Sequence, residues 1–170
     1  MNAKFIALFV LPFAAVLSGC KHAPAGTKLL GQPIDIKYEA IDGRTVDTAA
    51  MKGKVVLVDF WATWCPPCVK EVPVVKAAYD KLHDRGFEIV GISMDDKKED
   101  LTTFVAEQKL PWPQYFEPTG FDNKFGKQFG IEQIPTMWLL DKAGKLRDID
   151  ATEQLEQKVE KLLAETPPSL

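Results

Sequence analysis

Two thiols three positions apart, Cys65 and Cys68, are the side chains of this sequence best suited to chemistry. They stand in Val55-Val56-Leu57-Val58-Asp59-Phe60-Trp61-Ala62-Thr63-Trp64-Cys65-Pro66-Pro67-Cys68, which reads as a buried apolar strand, a short aromatic turn and the opening of a helix. The first turn of that helix brings the two sulfurs within disulfide reach. Unpaired N–H groups and the macrodipole at a helix N-terminus favour thiolate over thiol. Cys65 falls at that end, with Cys68 one turn further in. A low-pKa outer thiol backed by a second thiol is what dithiol–disulfide exchange requires.

Other uses of the pair fit less well. A c-type haem site needs histidine directly after the second cysteine, and Val69 is there instead. Structural zinc needs four ligands, and His22 and His83 are too scattered to complete the set. Two thiolates can hold Cu(I), so a copper carrier stays open, but no metal ligands are assigned. A purely structural bridge would close a very small loop and stabilise little.

The elements that must position the thiols follow from pattern and punctuation. Residues 34–39 alternate apolar and polar, as a half-buried strand does. Asp42-Gly43 is a hairpin turn, and Thr45-Val46 begins a second short strand. Gly53-Lys54 leads into the central strand. A helix is predicted from Pro66 to about Arg85, kinked at Pro73 and stopped by Gly86. Residues 87–94 form an apolar strand interior to a parallel sheet. Residues 101–108 are helical, and Pro111-Trp112-Pro113 opens an irregular segment. Phe121, Phe125 and Phe129 put a core stripe on one helix. Strands at 136–141 and 146–149 flank a turn at 142–145. A last helix over 152–164 is capped by Thr152, with Leu155, Val159, Leu162 and Leu163 on its apolar face. This order predicts an α/β fold, a central mixed sheet with helices on both faces and an N-terminal β-hairpin extension.

The whole chain sets bounds. Its 170 residues, 46% hydrophobic and 26% charged, suit one globular domain. A net charge of -3 with scattered basic residues gives no footprint for nucleic acid. Three cysteines are too few for a disulfide framework, and Cys20 has its own explanation. Lys4 precedes an apolar run over 5–17, too short for a comfortable membrane span and laid out as a secretory signal. Leu17-Ser18-Gly19-Cys20 resembles the bacterial lipobox, which implies that Cys20 is lipidated and becomes the first residue after cleavage. The alternatives are a plain signal peptide that leaves Cys20 a free thiol, or an uncleaved anchor. Either main reading exports the protein to an oxidising compartment. The expected organisation is 1–19 signal peptide, 20–32 lipid-anchored flexible tether, 33–165 domain and 166–170 tail. Lys21 after the lipid cysteine, where an aspartate retains lipoproteins in the inner membrane, favours the outer membrane of a bacterial envelope.

Over about residues 31–164 the chain resembles the thioredoxin superfamily, and within it the exported TlpA/ResA-like thiol–disulfide oxidoreductases. The residues that carry this are Trp61 to Cys68 followed by Glu71 and Pro73, Asp42-Gly43, Lys52-Gly53-Lys54, and Gly130-Ile131-Glu132-Gln133-Ile134-Pro135-Thr136. Trp112 to Tyr115 and Met137-Trp138 are similar to a subset of these proteins found in bacterial lipoproteins. The resemblance implies a thioredoxin-like fold with Cys65 as nucleophile and Cys68 as the thiol that resolves the mixed disulfide. Asp59 matches the buried acid that takes the proton of Cys68, with its pKa raised by desolvation. Gly91 stands where thioredoxins place a lysine near that acid. Pro135, after a cis bond from Ile134, would set a backbone edge on which a substrate peptide docks, with Trp64 and Pro66 on the rim and Trp61 beneath. Glu71 is either a solvated helix residue or a tuner of the site. Asp95 and Asp96 are either acids near the site or the start of a helix.

The expected function is reduction of disulfides in exported proteins with no cofactor beyond the Cys65–Cys68 pair, and the resemblance implies electrons from a membrane dithiol relay. Cytochrome c apoprotein is one client type known in the family. The expected protein is a monomer that touches the membrane through its lipid and binds no nucleic acid. Two alternatives remain: a thioredoxin-fold protein that binds a partner or metal without turnover, and peroxide reduction, whose Pro-x-x-x-Thr-x-x-Cys pattern is absent around Cys65.

Overall fold

The computed structural model describes residues 23–166. Cys20, the signal segment before it and the tail from residue 167 lie outside the described residues. A five-stranded sheet is built from β3 (Val55–Trp61), β4 (Phe87–Ser93), β5 (Gln114–Tyr115), β6 (Thr136–Leu140) and β7 (Leu146–Asp148), in the order β5-β4-β3-β6-β7. Strands β3, β4 and β5 run parallel, while β6 and β7 are antiparallel to their neighbours. A separate antiparallel hairpin pairs β1 (Lys37–Glu39) with β2 (Thr45–Asp47). The helices are α1 (Pro66–Leu82), α2 (Lys98–Gln108), α3 (Lys124–Phe129) and α4 (Leu155–Ala164). This is the mixed-sheet α/β architecture expected from the sequence.

All seven residues of β3 are buried, because the sheet is covered on both faces. Neighbouring side chains along a strand point to opposite faces. Phe60 meets Phe129 of α3, whereas Trp61 meets Phe104 of α2, so α2 and α3 cover opposite sides. Helix α1 carries Pro66 and Pro67 in its first turn, where a missing N–H costs nothing. A 3-10 turn, His83–Arg85, follows it and ends at Gly86, whose φ of 99° a Cβ would strain. Among the described residues no helix is long and apolar enough to cross a membrane.

Several elements differ from their sequence expectations. The alternation from residue 34 is real, with Ile34 and Ile36 buried, but β1 begins at Lys37. The Thr48 hydroxyl takes the place of a partner strand, donating to Ile34 O (2.7 Å) and accepting from Ile36 N (2.9 Å). The three phenylalanines do not share one helix. Phe121 lies in a 3-10 turn, and α3 starts afresh where the Asn123 side chain accepts from Gly126 N at 2.8 Å. Thr152 does not cap α4. Its hydroxyl bonds Asp150, and the helix opens at Leu155 after Gln154, in left-handed conformation at φ 57°. Strand β5 emerges from the segment read as irregular; two residues beside a proline carry too little pattern to show. The segment read as a tether is docked on the domain from Pro24 onward. It makes a 3-10 turn, Thr27–Leu29, lays Gly26 against the Trp138 ring, and exchanges hydrogen bonds with Leu146 through Gly31 N and Gln32 O.

Candidate active site

Strand β3 ends at Trp61 and hands the chain to a four-residue turn that leads into α1. The turn is held by a carboxylate. Asp95, just past the end of β4 and 1% exposed, accepts from Thr63 N (3.0 Å), Thr63 Oγ1 (2.6 Å) and Ser93 Oγ (2.7 Å). Cys65 N closes the turn on Ala62 O at 3.2 Å. Asp95 is therefore a strut of the turn and stands outside α2, which begins at Lys98; Asp96 is exposed.

Cys65 is the N-cap of α1, and its sulfur accepts from Cys68 N at 3.2 Å. Cys65 and Cys68 are joined by a disulfide, with Cα atoms 5.3 Å apart and residue exposures of 4% and 3%. Trp64 beside them is 52% exposed, its indole N–H donating to Met94 O at 3.3 Å and its ring tilted against Phe121. Pro66 and Pro67 are exposed on the other side of Cys65. Trp61 is buried.

The Ile134–Pro135 peptide bond is cis, and both residues are half-buried. Strand β6 opens at Thr136 opposite Phe60, so Ile134 and Pro135 lie at the sheet end where β3 leads toward Cys65. Asp59 lies deeper in β3, 7% exposed, opposite Gly91 of β4 and Met137 of β6. Burial, and then the Glu71 charge on α1, push its carboxyl up to about 7. Its Oδ1 has no hydrogen-bond partner among the described residues. No lysine faces it from position 91; the side chain of Gln114 covers that glycine instead. Glu71 is half-buried and acts on Asp59 through its charge.

Sequence reasoning passed over two residues. Asn123 caps α3 and donates to Ser93 O (3.0 Å) and to Met94 Sδ (3.1 Å), tying that helix to the strand end that carries Asp95. Its signal was an Asn followed three residues later by a glycine within the expected stripe. Gln114 was noted only within the Trp112–Tyr115 segment and given no role, because its place depends on a glycine 23 residues away in another strand. His83 is exposed and stacks on Tyr79. Among the described residues no group of three or more His, Cys, Asp or Glu is placed to hold a metal ion.

The arrangement is a dithiol–disulfide couple at a helix N-terminus, rimmed by an exposed indole and two prolines, with a carboxyl of raised pKa buried on the strand that precedes it. The AhpC/TSA family profile matches residues 30–149. A thiol-disulfide oxidoreductase ResA of Bacillus thuringiensis subsp. konkukian is 31% identical over 128 residues, covering 75% of this chain and 72% of that one. The thioredoxin domain of a thiol-disulfide oxidoreductase from Bacteroides vulgatus superposes with a TM-score of 0.67 at 29% identity, covering 84% of this chain and 99% of that one. A thiol:disulfide interchange protein of the thioredoxin family from Chlorobium tepidum gives 0.68 at 26% identity, with coverages of 79% and 97%.

Proposed function

This chain belongs to the AhpC/TSA family and is a thioredoxin-superfamily thiol–disulfide oxidoreductase, and on that premise we propose that it reduces disulfides of exported proteins in a bacterial cell envelope. The observation that carries the reading is the Cys65–Cys68 pair at the N-terminus of α1 with Asp59 buried on the adjoining strand. In the reduced protein the Cys65 thiolate attacks a client disulfide. A Cys65–client bond forms and the client's other sulfur leaves as thiolate. Cys68 then gives its proton to the Asp59 carboxylate and its sulfur attacks Cys65. The Cys65–Cys68 bond closes, the second client sulfur leaves, and two electrons have passed to the client. A membrane dithiol donor must return two electrons to restore the pair, and the proton held by Asp59 then goes back to the Cys68 sulfur. Trp64, Pro66, Ile134 and Pro135 form the surface on which the client peptide lies.

Peroxide chemistry is not favoured. Val58 and Ala62 stand where its sequence pattern needs proline and threonine before Cys65. The Leu17-Ser18-Gly19-Cys20 sequence supports cleavage before Cys20 and lipidation of that thiol, and Lys21 supports delivery to the outer membrane. The protein acts as a monomer.

The deciding measurement is the equilibrium reduction potential of Cys65–Cys68 against a defined thiol buffer. Related dithiols span about -270 mV for a reductant to about -120 mV for a strong oxidant. A value near the lower end is expected. One near the upper end reverses the direction of electron flow and overturns the reductase assignment while leaving the exchange chemistry intact.

A further inference from the structure

Gln114 belongs to the Trp112–Tyr115 segment of the resemblance but has no part in the exchange steps above. It lies in β5 opposite Gly91 of β4, and Gly91 lies opposite Asp59 of β3, all in parallel register. Residues in register on adjacent strands project to the same face of the sheet. Asp59 and Gln114 therefore flank a position with no side chain. Gln114 leans into it: of its amide atoms Oε1 comes nearest to a Cβ placed on Gly91, with Cδ at 2.6 Å and Nε2 at 2.8 Å. That places the amide over Gly91, whose strand lies one spacing, ~4.8 Å, from β3 and Asp59. Gln114 is 1% exposed.

The amide's orientation is fixed chemically. Trp61 Nε1 donates to Gln114 Oε1 at 3.0 Å, and an indole N–H can only donate, so the oxygen must face Trp61. The NH2 group takes the remaining arm of the amide, 2.8 Å from the Cβ position over Gly91. Neither Nε2 of Gln114 nor Oδ1 of Asp59 has a hydrogen-bond partner among the described residues. On either side of Gly91 in a buried site stand a donor without an acceptor and a carboxyl oxygen without a donor.

We propose that Gln114 is the positioning residue of Asp59, its Nε2 group donating through one bridging water to the carboxylate in its charged form. The consequence for catalysis rests on the exchange reading above. A neutral donor steadies the anion formed after proton loss, without the permanent positive charge that would hold the acid ionised. Asp59 can then take the proton of Cys68 and release it again near neutral pH. Gly91 permits the contact, because any side chain there would displace the amide. The groups facing Asp59 from its neighbours are Gly91 on β4, Met137 on β6 and Gln114 across β4, all uncharged. The charge acting on it is that of Glu71 from α1, which opposes ionisation.

The test is an NMR titration of the oxidised protein that follows the Asp59 carboxyl carbon and the Gln114 side-chain amide together. In the wild type the amide resonances should move with the same midpoint as the carboxyl carbon, and that movement should vanish in Asp59→Asn. Gln114→Met should raise the Asp59 midpoint by about one pH unit, a tenfold fall in its acid dissociation constant. The pH midpoint of mixed-disulfide resolution should rise with it. An amide that stays flat through the Asp59 titration overturns the proposal, as does an unchanged midpoint in folded Gln114→Met. The titration uses the disulfide form, in which no exchange occurs, so its failure leaves the role of Asp59 standing. That role falls separately if Asp59→Asn resolves mixed disulfides at the wild-type rate.

Discussion

Asp59 sits in a strand whose seven residues are all buried, and its proton belongs to the folding equilibrium as well as to the chemistry. Below pH 3.8, the ordinary value of the group, folded and unfolded chains both hold that proton. Between there and about 7 the unfolded chain has lost it while the folded chain keeps it, so the folded state binds more protons and stability falls as pH rises. Above about 7 the loss is complete, on the order of 4 kcal/mol at most. Asp59→Asn should therefore be more stable than wild type at pH 8 by a few kcal/mol and nearly equal at pH 4. Urea unfolding at the two pH values checks this, and a constant difference would mean the carboxyl is not desolvated. The two thiols should also differ. In the reduced protein Cys65, at the helix cap, should alkylate well ahead of Cys68 at mildly acidic pH, and the reverse order would exchange their roles. The thiol pair was legible in its spacing, and the burial of Asp59 in the apolar run of β3, whereas the acid's part in exchange came from the resemblance alone. Gln114 and Asn123 were not legible, because each acts on a residue distant in the chain.

Elements position these residues through contacts that a linear pattern does not carry. The Asp95 carboxylate ties the turn before Cys65 to the end of β4 through three donors, and hydrogen bonds to charged groups contribute about 1.5–3 kcal/mol each. Asp95→Ala should lower stability by about 3 kcal/mol, and should free Trp64, seen as altered tryptophan fluorescence. Unchanged fluorescence would mean the turn is held by its own backbone. Gly126 shows how context reverses propensity. Alanine in an exposed helix gains about 1 kcal/mol over glycine. Here its Cβ would lie 3.0 Å from the carbonyl carbon of Phe121 and closer still to the oxygen. Gly126→Ala should instead cost about 1–3 kcal/mol in denaturant unfolding. The long apolar strands and α1 were legible because periodicity and proline–glycine punctuation agree there. The four-residue spacing of Phe121, Phe125 and Phe129 misled because an Asn cap restarts the helix between them, and β5 was too short to show.

For the whole molecule, the sequence pattern was enough to place one mixed sheet with helices on both faces, since an apolar run such as β3 must be covered on both sides. The manner in which the N-terminal stretch meets the domain was less legible. Pro24, Gly26 and Gly31 suggest a flexible lead-in, whereas Gly26 serves close approach to Trp138. If Cys20 anchors the protein, Cys20→Ser should move it from the membrane fraction to the soluble fraction without changing the potential of the Cys65–Cys68 pair. A protein still membrane-bound would remove the lipid from the account. The docked stretch also bears on how copies of the molecule meet. Leu146 of β7 spends both backbone groups on Gly31 and Gln32, and Pro33 bridges Lys145. At the far side of the sheet, Ile41 N from the hairpin bonds the carbonyl of Gln114 in β5. Both outermost strands are thus occupied by the molecule's own chain, and neither offers a free template for strand addition by a neighbour. On these two edges a neighbouring copy meets backbone groups already bonded at Leu146 and Gln114, so the five-stranded sheet is shielded there from growing sideways into a polymer.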